Sequence, residues 1–362
     1  MNGVRRPREP PPGMRVLFEL NHPAQVHFYR HVIGRVRERG GQVAVASREK
    51  GITIPLLDAL GIAHDRLSRA GRGIAGKALE TALRCARMAR LVRRFRPDVI
   101  TAKPGIAAGP IGGLLRVPAV ICDEAEHATL QRRLALPFAA TIPTGFGYLE
   151  DLGPRQRPYK GVWMQAYLDP RYFRPDPDVP RRAGVNPDEP YIVLRLIAWS
   201  AAHDRGMKDI GEEEILRLVR RLEGSCRVII SSEKPLSPEL RPRGNPLAPE
   251  DMHHLLAFAR MCVSEGGSTA AEAAVLGTPT IFCNPLRVGY LLALEDRYRL
   301  ARNVNTLAEG VDAAADLLAR PDLREEWRER RGRLLAESED VVEFIYDALA
   351  EAARGRRGGE GP

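Results

Sequence analysis

Apolar positions along the chain fall into short, nearly unbroken runs separated by stretches of helical periodicity. MRVLFEL (14–20) is followed by a helical pattern that Gly40-Gly41 stops, and VAVAS (43–47) by helical IPLLDALG. A long helix is expected over 77–95, ended by Arg96-Pro97, and DVITAK (98–103), PAVICD (118–123) and AATIP (139–143) read as further strands. After the Pro-rich, charged stretch 171–190 the alternation resumes. YIVLRLI (191–197), RVIISS (227–232), RMCVSE (260–265) and PTIFCN (279–284) are its strands, with helices near 212–223, 250–259 and 269–276. Strands apolar throughout, rather than at every second position, call for parallel sheets covered on both faces.

The expected fold class is therefore α/β, with two Rossmann-like parallel-sheet lobes facing a cleft. The first lobe spans 14–170, a linker 171–190 and the second lobe 191–322. Helices over 323–353 are expected to pack back on the first lobe, and 1–13 and 354–362 to be disordered tails rich in Pro, Gly and Arg. A chain of 362 residues is long enough for two full cores. No run approaches a membrane span and the start lacks the apolar core of a signal peptide, so a cytoplasmic location is expected. The five cysteines are scattered, with no CxxC pair, and read as core residues. Of the +9 net charge, each tail carries three arginines against one glutamate, which leaves +5 for the folded body. That suits an anionic ligand or surface, but it is too diffuse, and the aromatics too few at 6%, for a nucleic-acid partner.

Ligands of such sheets sit at the carboxyl ends of the strands, and polar residues gather there. Asn21, His22 and His27 follow the first strand, and Lys103 the strand 98–103. Asp123, Glu124, Glu126 and His127 follow PAVICD. In the second half the strand ends carry Arg195, Trp199 to His203, Ser232-Glu233-Lys234 and Ser264-Glu265-Gly266-Gly267-Ser268-Thr269. The last opens SEGGSTAAEAAVLGTPTIF, a strand, glycine turn and small-residue helix. Glycines at a helix start expose unpaired amides beside the positive end of the helix dipole, a place for phosphate. The structural alternative is a plain αβ corner, with Thr269 and Glu272 as a capping box and Gly277 ending the helix. His22 and His27 could equally cap and flank their helix, and the acids could favour a helix N-terminus. Arg195 in a buried strand needs an anionic partner. No aspartate pair marks a magnesium site, so no metal is expected.

SEGGSTAAEAAVLGTPTIFCNP and the two-lobe layout resemble nucleotide-sugar enzymes of GT-B fold, notably the peptidoglycan lipid-linked N-acetylglucosaminyltransferase and the non-hydrolysing UDP-N-acetylglucosamine 2-epimerase. LNHPAQVHFYRHV, DEAEHA and MHHLLAFARMCVSEGGSTAAEAAVLGTP together resemble a prokaryotic family of predicted glycosyltransferases over most of 14–345. The resemblance implies that Gly266, Gly267, Ser268 and Thr269 hold the diphosphate, with Ser264, Ser232 and Glu233 on the same nucleotide side. It implies that Glu272 binds the ribose diol and that Arg195 supports the phosphates. His22 or His27 would be the general base on the acceptor, beside Asp123 and Glu124. The first loop, NHPAQVH, departs from the glycine-rich loop of the peptidoglycan enzyme, so its acceptor chemistry is not carried over. The expected donor is a nucleoside diphosphate sugar, as UDP-sugar, with no tightly bound cofactor. The acceptor is unidentified, with a lipid-linked one and a cell-envelope polysaccharide as the destination considered. Epimerisation or hydrolysis by Asp123, Glu124 and Glu126 with His203, or nucleotide-sugar binding without turnover, are the alternatives.

The helix over 77–96 carries Lys77, Arg84, Arg87, Arg90, Arg93, Arg94 and Arg96 against the single acid Glu80, with Leu79, Leu83, Ala86 and Leu91 expected in the core. A solvated face is the ordinary reading, and peripheral contact with anionic lipid the sharper one.

Overall fold

A computed structural model describes residues 13–71, 73–124, 126–198 and 211–357. The chain divides into two compact units, Met1–Tyr167 with Glu339–Pro362, and Leu168–Ser338.

The first unit begins with β1 (Arg15–Leu20), α1 (Pro23–Glu38), β2 (Gln42–Glu49), α2 (Thr53–Ala59) and β3 (Asp65–Arg69). It continues through α3 (Gly73–Phe95), β4 (Val99–Ala102), α4 (Ala108–Leu114), β5 (Ala119–Ile121), α5 (Thr129–Ala135), β6 (Ala139–Thr144), β7 (Gln156–Pro158) and the short α6 (Gln165–Leu168). The strands form one parallel sheet in the order β3-β2-β1-β4-β5-β6-β7. Val16, Leu17, Phe18, Ile100 and Val120 are fully buried, as strands covered on both faces must be. The chain order reverses between β1 and β4, and that reversal leaves a crevice at the carboxyl ends of these two strands.

The second unit contains α7 (Asp178–Arg182), β8 (Tyr191–Leu196), α8 (Glu212–Glu223), β9 (Arg227–Ser232), α9 (Met252–Phe258) and β10 (Met261–Ser264). There follow α10 (Gly267–Leu276), β11 (Thr280–Cys283), α11 (Gly289–Asp296), β12 (Ala301–Val304), α12 (Leu307–Leu318) and α13 (Leu323–Glu337). Its parallel sheet runs β12-β11-β10-β8-β9, which puts the reversal between β8 and β10. The chain then returns to the first unit as α14 (Val341–Arg357), which packs on α1.

Three expectations change. The helices expected to pack together on the first lobe divide: α13 stays with the second unit, where Trp327 Nε1 donates to the Leu300 carbonyl at 2.9 Å and Arg331 Nε to that of Val275 at 3.0 Å. Only α14 returns, and it runs past Ala353 to Arg357. The stretch 171–190 is folded into the second unit, with Arg171 paired to Asp169 at 2.7 Å and the Asp176 amide donating to His254 Nδ1 at 2.9 Å. The first half of helix α3 is turned away from its expected face, whereas Leu91 is buried in the core as expected. Leu79, Leu83 and Ala86 are exposed, while Glu80 and Arg84 are buried. Glu19 on β1, Arg48 on β2 and Ser68 on β3 supply polar partners beneath the helix, and the helix turns Glu80 and Arg84 toward them.

Arg96, Arg116 and Arg299 adopt the left-handed backbone region that favours glycine, with φ of 50°, 53° and 53°. Arg116 closes α4, and Val117 N donates to Gly112 O at 2.8 Å. Arg116→Gly is expected to stabilise the chain by about 0.5–1 kcal/mol, because relief of the Cβ clash exceeds the added chain entropy of glycine. The midpoint of urea unfolding measures it, and an unchanged or lower midpoint contradicts it.

Candidate functional site

In the second unit the polar strand ends meet at the β8–β10 reversal. Register pairs Ser264 with Arg195, and Glu265 N donates to Arg195 O at 3.0 Å. The buried Ser264 hydroxyl accepts from Gly266 N at 3.1 Å and donates to Gly266 O at 2.8 Å, so it shapes the turn from within. Gly266 is the N-cap residue of α10, with no side chain capping the helix. The ladder begins with Ala270 N on Gly266 O at 3.0 Å, which leaves the amides of Gly267, Ser268 and Thr269 outside it. Seven residues of the helix, 270–276, are buried, so its position is fixed by packing. Its far end closes at Gly277, where φ is 82° and a side chain would strike Arg331 Cδ at 2.8 Å.

The capping box of Thr269 and Glu272 does not form. The buried Glu272 carboxylate instead lies 3.3 Å from His253 Nε2 on α9, a partner the sequence reading missed although MHHLL precedes the strand at helical spacing. Arg195 also finds its anion within the chain: it donates to Glu233 Oε1 at 2.8 Å and Ser231 Oγ at 3.0 Å. Glu233 in turn accepts the Ala198 amide at 3.1 Å, and Ser232 Oγ accepts that of Lys234 at 3.1 Å. The anionic partner expected for Arg195 is Glu233, which leaves a paired cation at the strand ends. His203, with Trp199 to Ala202, lies outside the described residues.

In the first unit the β1–α1 turn is tied across the reversal to β4. Asn21 N donates to Gln25 Oε1 at 2.6 Å, and Gln25 Nε2 donates to the Lys103 carbonyl. His22 caps α1, its Nδ1 accepting the Ala24 amide at 3.3 Å, and its side chain is exposed. His27 is largely buried and its ring stacks on that of Tyr167, with centroids 5.4 Å apart. Asp123 is fully buried and held by Arg132 Nε at 2.7 Å and by the Tyr148 hydroxyl. Arg132 also grips Glu150 at 2.9 and 2.5 Å, so Asp123 anchors a structural network and is no free base.

Glu124 is different. It is buried at the carboxyl end of β5 and receives the Tyr159 hydroxyl at 2.5 Å. Burial raises its carboxyl to about 8, against the pull of Lys103. Lys103 lies over Trp163 at 3.4 Å and Phe28 at 4.8 Å, and its buried Nζ has no hydrogen-bond acceptor among the described residues. Burial lowers it to about 8, with Glu124 opposing. A carboxyl that exchanges its proton near neutrality suits acid–base work. The fold prefers Glu124 protonated, so its contribution to stability is full below its ordinary 4.5 and is lost as pH rises to about 8. Above about 8 the Lys103 contribution has the opposite slope. Melting temperature measured across pH is expected to show this fall in the wild type and a flatter profile in Glu124→Gln; equal slopes contradict the assignment.

Comparison with known proteins follows the same lines. The family described as "Protein of unknown function (DUF354)" matches residues 14–354. The chain belongs to that family. It is 24% identical over 281 residues to "Uncharacterized protein MJ0665" of Methanocaldococcus jannaschii, covering 75% of this chain and 82% of the relative. Over 92 residues, 24% of this chain and 26% of the relative, it is 34% identical to the UDP-N-acetylglucosamine--N-acetylmuramyl-(pentapeptide) pyrophosphoryl-undecaprenol N-acetylglucosamine transferase of Methylococcus capsulatus. In fold it is similar to the UDP-GlcNAc 2-epimerase from Neisseria meningitidis bound to UDP-GlcNAc, with a TM-score of 0.64 at 12% identity over 96% of this chain and 99% of that one. This DUF354 chain therefore has the GT-B-type fold of two Rossmann-like parallel-sheet domains, as its sequence implied.

Proposed function

We propose that the protein is a sugar-nucleotide enzyme that transfers a sugar from a nucleoside diphosphate carrier, of the UDP-sugar class, to an acceptor at the cytoplasmic face of a membrane. The observation that carries this reading is the turn at Gly266-Gly267, where an uncapped, packed helix presents its first amides at the β8–β10 reversal. Amides of Gly267, Ser268 and Thr269 with the helix dipole would hold the diphosphate, and Arg195, steadied by Glu233, would lie on the phosphate side. Glu272 would take the ribose diol, its carboxylate oriented by His253. The fold of a UDP-GlcNAc-bound epimerase and the partial identity to a transferase that uses a lipid-linked acceptor support the substrate class. A lipid-linked acceptor, a cell-envelope polysaccharide as product and peripheral contact with the membrane belong to the same proposal.

On the acceptor side His22 is the exposed histidine. With Nδ1 receiving an amide, a neutral ring carries its proton on Nε2, so as placed it donates and acts as a base only once that 3.3 Å contact opens. The second reading, epimerisation or hydrolysis, is favoured by one feature: the buried Glu124, whose carboxyl exchanges its proton near neutrality. Incubation with UDP-N-acetylglucosamine alone separates the two. Transfer predicts an unchanged donor, with UDP release only when a lipid-linked acceptor is added; release or epimerisation without acceptor, abolished in Glu124→Gln, would replace transfer by the second reading.

A further inference from the structure

We propose that α3 is an interfacial helix, by which the first unit docks on an anionic bilayer through an exposed aliphatic stripe flanked by unpaired basic residues. The proposal deepens the membrane contact of the reading above by naming the surface and the way it binds. Helix α3 has 23 residues, a length of about 35 Å. Glu80 and Arg84 are spent beneath it in buried ion pairs, and with them turned inward the outward face carries Leu79 and Leu83, neighbours one helical turn apart, exposed by 73% and 43%; Ile74, exposed by 90%, lies about half a turn round the helix from Leu83. Side chains of this size left in water on one helix face mark a contact surface. Leu130, Leu134 and Phe138, on and just after α5, are exposed as well, with α4 packed against both α3 and α5.

Charge identifies the occupant. Lys77, Arg90 and Arg93 are exposed on α3 and make no ion pair among the described residues, whereas Arg94 is paired with Asp65 and Arg87 donates to the Leu67 carbonyl. The helix has no exposed acid, since its one carboxylate, Glu80, is buried. A second copy seated on this face by a two-fold axis would set like charges against one another, while an anionic lipid surface neutralises them and accepts the leucines. No helix among the described residues is long and apolar enough to cross a membrane, so α3 would lie along the interface.

The full chain is mixed with phosphatidylcholine vesicles with and without phosphatidylglycerol and sedimented, and UDP affinity is measured in parallel by calorimetry. The wild type is expected to bind the anionic vesicles, less as salt rises. Leu79→Gln with Leu83→Gln should weaken binding roughly tenfold or more, and Lys77→Gln with Arg90→Gln and Arg93→Gln roughly 100-fold. UDP affinity should be unchanged in both variants. Failure of the wild type to bind either vesicle overturns the proposal, as does full binding by the double leucine variant. So does a dimer in solution that the leucine changes convert to monomer, since the stripe is then filled by a second copy. Vesicle binding without UDP binding would refute the sugar-nucleotide reading and leave the docking face standing; UDP binding without vesicle binding would do the reverse.

Discussion

Arg84→Met is expected to destabilise the protein by about 3–5 kcal/mol, enough to consume much of the stability of an ordinary domain. Arg84 is 3% exposed, with Nε 4.0 Å from Glu19 Oε1 and Nη1 3.7 Å from Glu80 Oε1, and it donates to Asn21 Oδ1 at 3.4 Å. Glu80 keeps its two bonds from Arg48, at 2.9 and 2.6 Å, and one from Ser68 at 2.7 Å. Glu19 keeps the Ala108 amide at 2.8 Å but loses its cation, and a buried carboxylate without one must take up a proton or draw in water. Methionine preserves most of the volume, so the loss reads out charge rather than a cavity. Arg84→Lys restores charge without the planar fork and should fall between the two. Guanidinium unfolding gives the measurement, and a loss under about 1 kcal/mol would show that Glu19 needs no partner.

The same residue explains where the sequence was legible and where it was not. Parallel strands whose residues are mostly apolar and buried on both faces, such as β1, β4 and β10, announce themselves. Three of the four edge strands do not: β3 is DRLSR, β7 is QRP and β12 is ARNV, each paired on one side and rich in polar residues, whereas the edge strand β9, RVIISS, keeps an apolar run and was legible. Helix α3 was found, and Leu91 is in the core as expected, but the orientation of its first half was not seen, because periodicity assigns Leu79 and Leu83 to the core and cannot see that Glu19 and Arg48, 65 and 36 residues upstream of Arg84, have placed charge there. At the candidate site the glycine turn was visible because its backbone role is written in Gly266-Gly267. Pairings between distant residues were not: His253 with Glu272, Arg132 with Asp123 and Tyr159 with Glu124 join separate elements at no fixed spacing. Lys103 stood out as a lysine after a buried strand, and the structure seats it on two rings instead of in an ion pair.

The second large effect concerns the turn itself. Ser268→Asp places a carboxylate in the first turn of α10, where it satisfies the helix dipole and should leave folding unchanged or slightly favoured. A diphosphate there would meet it at close range; unit charges about 5 Å apart at an effective dielectric near 20 repel by about 3 kcal/mol, or roughly 100-fold in affinity. A helix stabilised by the very change that expels the ligand separates a binding effect from a folding one.

The decisive measurement is a calorimetric titration of UDP into the wild-type protein and Ser268→Asp at low salt. Saturable binding to the wild type, weakened about 100-fold in the variant at an undiminished melting temperature, is the predicted result. Absence of UDP binding to the wild type, or equal affinity in both proteins, would contradict a diphosphate seat at the amino end of α10.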